Sequence, residues 1–265
     1  MLARDLSKYT KVMTADDFRA WRDQDIGLVI IQAHPPGYGQ ERSLDLVRAA
    51  TEAEMPWDAY MYQYLAYTDW LPSALGTLDI LAAEGLVPRK AWLDVEDVDS
   101  GKGWPVSDRI GAVWRDLALV DAWTAAQGRP EGGIYSAAWY WNGYMGGRHD
   151  FAERRLWAAQ YDDVADASVL TLFGGWSGCR IKQYAGSQPD GTDLDVLSAE
   201  EAAEIEPVPP DNPCEGVMNG LAYVCDDLGD RLLAECLRGR VRKEVVRAVV
   251  DEMQRVREQF IGPRP

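Results

Sequence analysis

Asp94 and Glu96 are the residues whose type and spacing could do chemistry. They lie in the stretch Lys90-Ala91-Trp92-Leu93-Asp94-Val95-Glu96-Asp97, which reads as a buried strand ending in acid. Residues two apart on a strand point the same way, so Trp92, Asp94 and Glu96 share one face and Ala91, Leu93 and Val95 the other. A rise of ~3.3 Å per residue sets the two carboxylates roughly 6–7 Å apart. Paired carboxylates at that separation can split a glycosidic bond. Like charges so close do not ionise independently, and one pKa should rise. The bland alternative is a strand running out into an acidic loop, since Asp97 and Asp99 follow.

The elements that must position these acids alternate. Leu2–Tyr9 reads as a strand carrying Asp5, and Thr14-Ala15-Asp16-Asp17 as a helix N-cap with acids in the first turn. Gly27–Ala33 contains a continuous apolar, β-branched run, as in a strand buried on both faces. Helices are predicted at 43–53, 71–84 and 107–127. Further strands are predicted at 57–65, around 132–136, and at 154–161, 169–173, 179–184 and 192–196. Helices thin out after Tyr144. Strand–helix alternation over about 195 residues implies an α/β fold with a parallel sheet. No Gly-x-Gly-x-x-Gly or Walker-type loop is present, which removes the main reason for an open doubly wound sheet. The expectation is an irregular, TIM-like (β/α) barrel over residues 1–198, with acids at its catalytic, C-terminal strand ends.

The composition bounds the partners. The 265 residues carry a net charge of −16, which argues against nucleic acid and anionic membrane surfaces. Eleven Trp and twelve Tyr against four Phe favour rings with a flat apolar face and a hydrogen-bonding tip, which suit sugar stacking. The four Cys include no Cys-x-x-Cys pair, so neither a zinc signature nor a disulfide framework is expected. His34 and His149 are the only histidines, which disfavours a Ser or Cys triad. No secretory signal or membrane span is read from the sequence.

Several stretches together resemble glycoside hydrolase family 25, the Chalaropsis-type lysozymes. Asp5-Leu6-Ser7-Lys8-Tyr9 is similar to that family's opening Asp-Val-Ser-x-Tyr, and Leu28–Ala33 to its second strand. Trp92-Leu93-Asp94-Val95-Glu96 resembles its Asp-x-Glu strand. Gly133-Ile134-Tyr135-Ser136 with Tyr140-Trp141, Leu156–Tyr161, and Gln183-Tyr184 with Asp193-Leu194 resemble later family stretches in the same order. The resemblance covers residues 3–197. It implies cleavage of the β-1,4 bond between N-acetylmuramic acid and N-acetylglucosamine, with no metal or other cofactor. Glu96 would be the general acid, and Asp94 would position the substrate's N-acetyl group or act as a charged partner. Asp5 and Asp193 would line the same cleft, and Tyr62, Tyr135, Trp157 and Gln183 would contact the sugar. Asp195 stands where the family often has Asn, so the resemblance leaves open which of Asp193 and Asp195 faces the cleft. Gln32-Ala33-His34-Pro35, Tyr62-Gln63 and Lys182 depart from the family pattern around the rim.

Beyond the barrel the composition changes. Residues 199–215 are expected to be an acidic, Pro-rich linker. Residues 216–265 carry apolar positions at helical spacing and are expected to form a helical pair, with oligomer or virion contacts through residues 216–260. The leading functional expectation is a bacteriophage muramidase, held in the host cytoplasm until release or packaging, that acts on bacterial peptidoglycan. The alternative is a non-catalytic phage tail module that binds a related glycan on a lysozyme-like barrel.

Overall fold

The computed structural model describes residues 1–205. The expected helical pair at 216–265, and most of the expected linker, lie outside the described residues. Eight strands close into one barrel in chain order. They are β1 (Leu2–Leu6), β2 (Ile26–Gln32), β3 (Trp57–Tyr62), β4 (Ala91–Asp94), β5 (Gly133–Ala137), β6 (Leu156–Ala159), β7 (Ile181–Ala185) and β8 (Thr192–Leu197). The helices are α1 (Ala15–Arg22), α2 (Gln40–Glu52), α3 (Trp70–Ala83), α4 (Val106–Ala126), α5 (Ala138–Tyr144) and α6 (Ala199–Glu204). The irregular (β/α) barrel expected from the sequence is therefore the observed fold.

Neighbouring strands from β1 to β7 pair parallel, but β8 runs antiparallel to both β7 and β1. The parallel sheet of the expected irregular barrel thus carries one antiparallel strand at its seam. The reason is length: residues 186–191 are too few for a parallel crossover and can only make a hairpin turn. Gly191 closes that turn at φ 78°, with the Tyr9 carbonyl where a side chain would stand, so two constraints demand glycine there. The expected strand at 169–173 is irregular chain. Each barrel strand already pairs on both sides, which leaves it no edge to join.

Two apolar layers hold the barrel. Outward-facing Leu6, Val29, Ile31, Ala59, Met61, Leu93, Ile134 and Leu156 pack with helix residues such as Phe18, Leu46, Leu78 and Leu117. Inward-facing Ala3, Leu28, Ile30, Tyr60, Trp92, Tyr135, Trp157 and Ile181 fill the interior, which alternation along each strand requires. Trp92 occupies this space because Gly133 opposite it lacks a side chain; a Cβ there would enter the indole ring. Thr14 caps α1 through a reciprocal pair with Asp17, as its sequence suggested.

Ala199–Glu204, expected as the start of the linker, is instead a helix. Ser198 caps it, accepting from the Glu201 N–H at 3.1 Å. Ala202 and Ile205 join the interior apolar cluster. Glu201, fully buried, meets Lys90 Nζ at 2.6 Å and Arg89 at 3.2 Å. The helix therefore plugs the end of the barrel where β4 begins, opposite the acids. Burial of Ile205 and Glu201 together overrides the linker-like composition.

Candidate active site

Asp94 ends β4. The Val95 N–H donates to the Tyr135 carbonyl at 2.9 Å, so the extended pairing continues one step further and Glu96 keeps the inward direction of Asp94. The next acid has a different task. Asp97 accepts from the backbone N–H groups of Leu65 at 2.8 Å and Ser100 at 3.0 Å, which fixes the loop leaving β4. Buried Arg109 donates to the carbonyls of Asp97 and Gly101. The chain is thus clamped immediately after Glu96.

The opposite wall comes from β1, β7 and β8. Asp5 is paired in register with Asp193, and Ala3 with Asp195. Asp193 and Asp195, two apart on one strand, share the inward face. The alternative between them dissolves: Asp193 stands at the mouth, and Asp195, fully buried, one step deeper. Gln183 joins the acids. Its Nε2 donates to Asp5 at 2.7 Å and to Asp193 at 3.2 Å, while its Oε1 accepts from the hydroxyls of Tyr135 and Tyr161, each at 2.8 Å. An amide has two N–H donors and two lone pairs, so Gln183, expected to bind the sugar, has its capacity filled within the protein. The Ser187 N–H donates to the other Asp193 oxygen.

Trp157 and Tyr135 were also expected beside the sugar, but at 1% and 5% exposure they lie inside the barrel. They form a floor with Tyr60, ring centroids 4.5 Å and 5.6 Å from Trp157. Trp157 donates its indole N–H to Asp195 at 2.8 Å. Tyr62 remains half-buried at the mouth, in register with Asp94. It opens a rim of Tyr64, Trp70 and Tyr38, with successive centroids 4.6, 4.5 and 4.9 Å apart. Tyr161, Tyr64, Trp70 and Tyr38 were not identified from sequence. The richness in Tyr of 57–65 was the available signal, but a loop's direction is not written in its period.

Electrostatically the cleft is acid against acid. Among the described residues no Lys or Arg forms an ion pair with Asp5, Asp94, Glu96, Asp193 or Asp195. Burial raises all five carboxyl pKa values, and neighbouring anions add to most of them. Asp5 is pushed up to about 7 by burial and by Asp193. Glu96 is raised by burial and then by Asp193. Asp94 lies well above the ordinary carboxylate range through burial, Glu96 and Asp5. Mutual repulsion at this spacing would raise one member of the pair; burial raises both. One Asp94 oxygen, Oδ1, is enclosed without a hydrogen-bond donor. His34 stands apart from the acids, its pKa lowered to about 4 by burial and Lys8, with its backbone held by Ser43 and Thr77.

No family model matches the chain. It is 29% identical to Lysozyme-like protein 5 of Caenorhabditis elegans over 123 residues, 45% of this chain and 54% of that relative. It is 29% identical to the probable GH family 25 lysozyme 3 of Dictyostelium discoideum over 164 residues, 60% of this chain and 33% of the relative. With lysozyme 4 of the same organism it is 25% identical over 170 residues, 63% and 76% of the two chains. The chain thus spans about half the length of the first relative and a third of the second. Among solved structures, a muramidase from Acremonium alcalophilum superposes with a TM-score of 0.59 at 19% identity, over 77% of this chain and 96% of that one. A family GH25 lysozyme from Aspergillus fumigatus gives 0.55 at 17%, over 77% and 99%. The catalytic domain of the endolysin ply40 from Listeria bacteriophage P40 gives 0.55 at 17%, over 77% and 96%. The barrel has the fold of the GH25 lysozymes, and its sequence is similar to lysozymes of that family.

Proposed function

We propose that this chain is a peptidoglycan muramidase, a glycoside hydrolase that cleaves the β-1,4 bond between N-acetylmuramic acid and N-acetylglucosamine. One observation carries the reading. Glu96, half-buried and raised in pKa, shares the barrel mouth with the buried carboxyl of Asp94, whose pKa is raised by burial and by Glu96. A raised carboxyl near the mouth holds a proton to give. A buried carboxyl at the end of β4, with no Lys or Arg paired to it among the described residues, keeps acceptor capacity for a substrate N–H at the mouth.

In the proposed reaction Glu96 protonates the glycosidic oxygen as the C1–O bond breaks. The N-acetyl carbonyl oxygen of the same sugar attacks C1 and forms a cyclic oxazolinium ion. The Asp94 carboxyl accepts the acetamido N–H and aligns that carbonyl; a neutral carboxyl retains an acceptor oxygen, so this holds in either protonation state. The Glu96 carboxylate then takes a proton from water, whose oxygen attacks C1 and reopens the ring. The half-buried face of Tyr62 provides a stacking surface beside Asp94. The resemblance further suggests a bacteriophage lysin or virion component acting on the bacterial wall from the host cytoplasm or the particle. Detecting the polypeptide in purified virions would separate those two.

The test is release of reducing ends from purified peptidoglycan by the parent and by Glu96→Gln. Gln keeps the shape and lacks the proton, so the rate should fall by at least ~10²–10⁴. Equal rates would place the acid elsewhere. Calorimetric binding of glycan with no product from the parent would instead favour a binding module without catalysis.

A further inference from the structure

A run of aromatic rings leads outward from the cleft, and only its first member has a part in the reaction proposed above. Tyr62 is in register with Asp94. The Gln63 N–H donates to the Asp94 carbonyl at 2.9 Å, so strand pairing continues one step past β3. Tyr64 follows, its ring centroid 4.6 Å from that of Tyr62. Trp70, the first residue of α3, stands 4.5 Å from Tyr64, and Tyr38, from the turn between β2 and α2, 4.9 Å from Trp70. Tyr67 branches from Tyr64 at 5.9 Å. Tyr38 is 58% and Tyr67 63% exposed, while Tyr64 and Trp70 keep part of their surface open. Single exposed rings need no explanation, but a contiguous patch of them marks a binding surface.

The chemistry of the strip selects its occupant. Every ring in it is Tyr or Trp and offers an apolar face with a hydrogen-bonding tip. Leu65, the only Leu, Ile, Val, Met or Phe in the loops at 33–39 and 63–69, is buried. The strip therefore lacks the aliphatic surface that would meet an apolar protein face. A sugar, with C–H faces and a rim of hydroxyls, matches it. The loops are also fixed before any ligand arrives. The Leu65 N–H donates to the Asp97 carboxylate at 2.8 Å and the Ala66 N–H to Ser100 Oγ at 3.1 Å, which joins the strip to the loop leaving Glu96. The Gln40 amide donates to Thr77 Oγ1 at 2.9 Å, and Thr77 donates to the His34 carbonyl at 2.6 Å. These bonds tie the turn bearing Tyr38 to the helix that begins with Trp70. A surface ordered in advance loses little freedom on binding.

We propose that Tyr64, Trp70 and Tyr38 form an outer glycan-binding strip that holds further sugars of the strand being cut, so that the protein favours long strands over short oligosaccharides. The occupant rests on the muramidase reading, because the strip is continuous with the cleft at Tyr62 and Asp94. These rings touch sugars that do not react. They bind ground state and transition state alike, which lowers KM and leaves kcat unchanged.

The experiment uses the full chain as parent, Tyr38→Ala, Trp70→Ala and the double variant, each also combined with Glu96→Gln for binding. The probes are long glycan strands from peptidoglycan and the tetrasaccharide of two N-acetylglucosamine–N-acetylmuramic acid repeats. Each single substitution should raise KM on strands by about three- to tenfold, the worth of one aromatic contact. On strands kcat, and on the tetrasaccharide KM, should stay within about twofold of the parent. Calorimetry in the Glu96→Gln background should show the same loss of affinity for strands. A double variant with the parent's KM on strands overturns the strip and leaves the muramidase reading standing. Equal losses on both probes also overturn it, because the rings then act on the reacting sugar or on the fold. Tyr38→Ala, in an exposed turn, carries the test if Trp70→Ala does not fold. A parent that cleaves neither probe removes the muramidase reading; strand binding that weakens in the variants still supports the strip, and strand binding that is absent or unchanged removes it.

Discussion

Replacing Glu201 by Ala should cost the barrel about 2–4 kcal/mol. Glu201 is fully buried and holds Lys90, itself 4% exposed, at 2.6 Å. Removing one member of a buried ion pair typically costs ~3–5 kcal/mol, because the remaining charge stays desolvated and unpaired. Two features reduce the cost here. Glu204 still reaches Lys90 Nζ at 2.7 Å, but from a side chain 40% exposed and so partly screened. Asp58, whose pKa is raised to about 6 by burial and partly by Glu201, is relieved when that charge goes. For a domain of about 200 residues the net loss corresponds to a melting temperature lower by ~4–16 °C. The assay is urea unfolding of the full chain followed by near-ultraviolet circular dichroism. Lys90→Met with Glu201→Leu provides the control, since apolar replacement of a whole buried pair is often neutral or stabilising. The double variant should unfold within about 1 kcal/mol of the parent, or above it. If Glu201→Ala alone unfolds within 1 kcal/mol of the parent, α6 is not the plug described above, and the barrel must close its base by other means.

Other substitutions test the site. Asp5→Asn should stabilise the protein at pH 8 by up to a few kcal/mol and leave it unchanged at pH 4, in paired urea titrations. The folded pKa of Asp5, about 7, lies above its ordinary 3.8, so the native state binds the extra proton and stability falls as pH rises through that window; equal effects at both pH values would contradict the assignment. Gly133→Ala should cost ~1–3 kcal/mol in the same unfolding assay, because its Cβ enters the buried ring of Trp92. Tyr161→Phe removes one of two phenol donors to Gln183 from a side chain 61% exposed. Its stability should stay within ~1.5 kcal/mol of the parent while turnover on peptidoglycan declines; a wild-type turnover would show that Tyr135 alone orients the amide.

Much of this protein was legible in the chain itself. Period-two alternation placed Asp94 and Glu96 on one face, and the continuous apolar run at 28–31 marked a strand covered on both sides. The absence of phosphate-binding loops turned the strand–helix pattern towards a barrel. These are local properties: a strand's period needs only its own residues. Tertiary structure decided everything that depends on who stands opposite whom. The register of β1 with β8 brought Asp5 beside Asp193 and set Asp195 a step deeper, across 188 residues of chain. The same closure turned Trp157, Tyr135 and Gln183 from expected sugar contacts into the floor and the positioning groups of the cleft. It also converted the acidic stretch 199–204 from an expected linker into a plug, because Lys90 was waiting buried at the barrel's base. A carboxyl's charge state belongs to this second class, since it is set by the water removed and the neighbours gained on folding, neither of which a spacing of two residues can state.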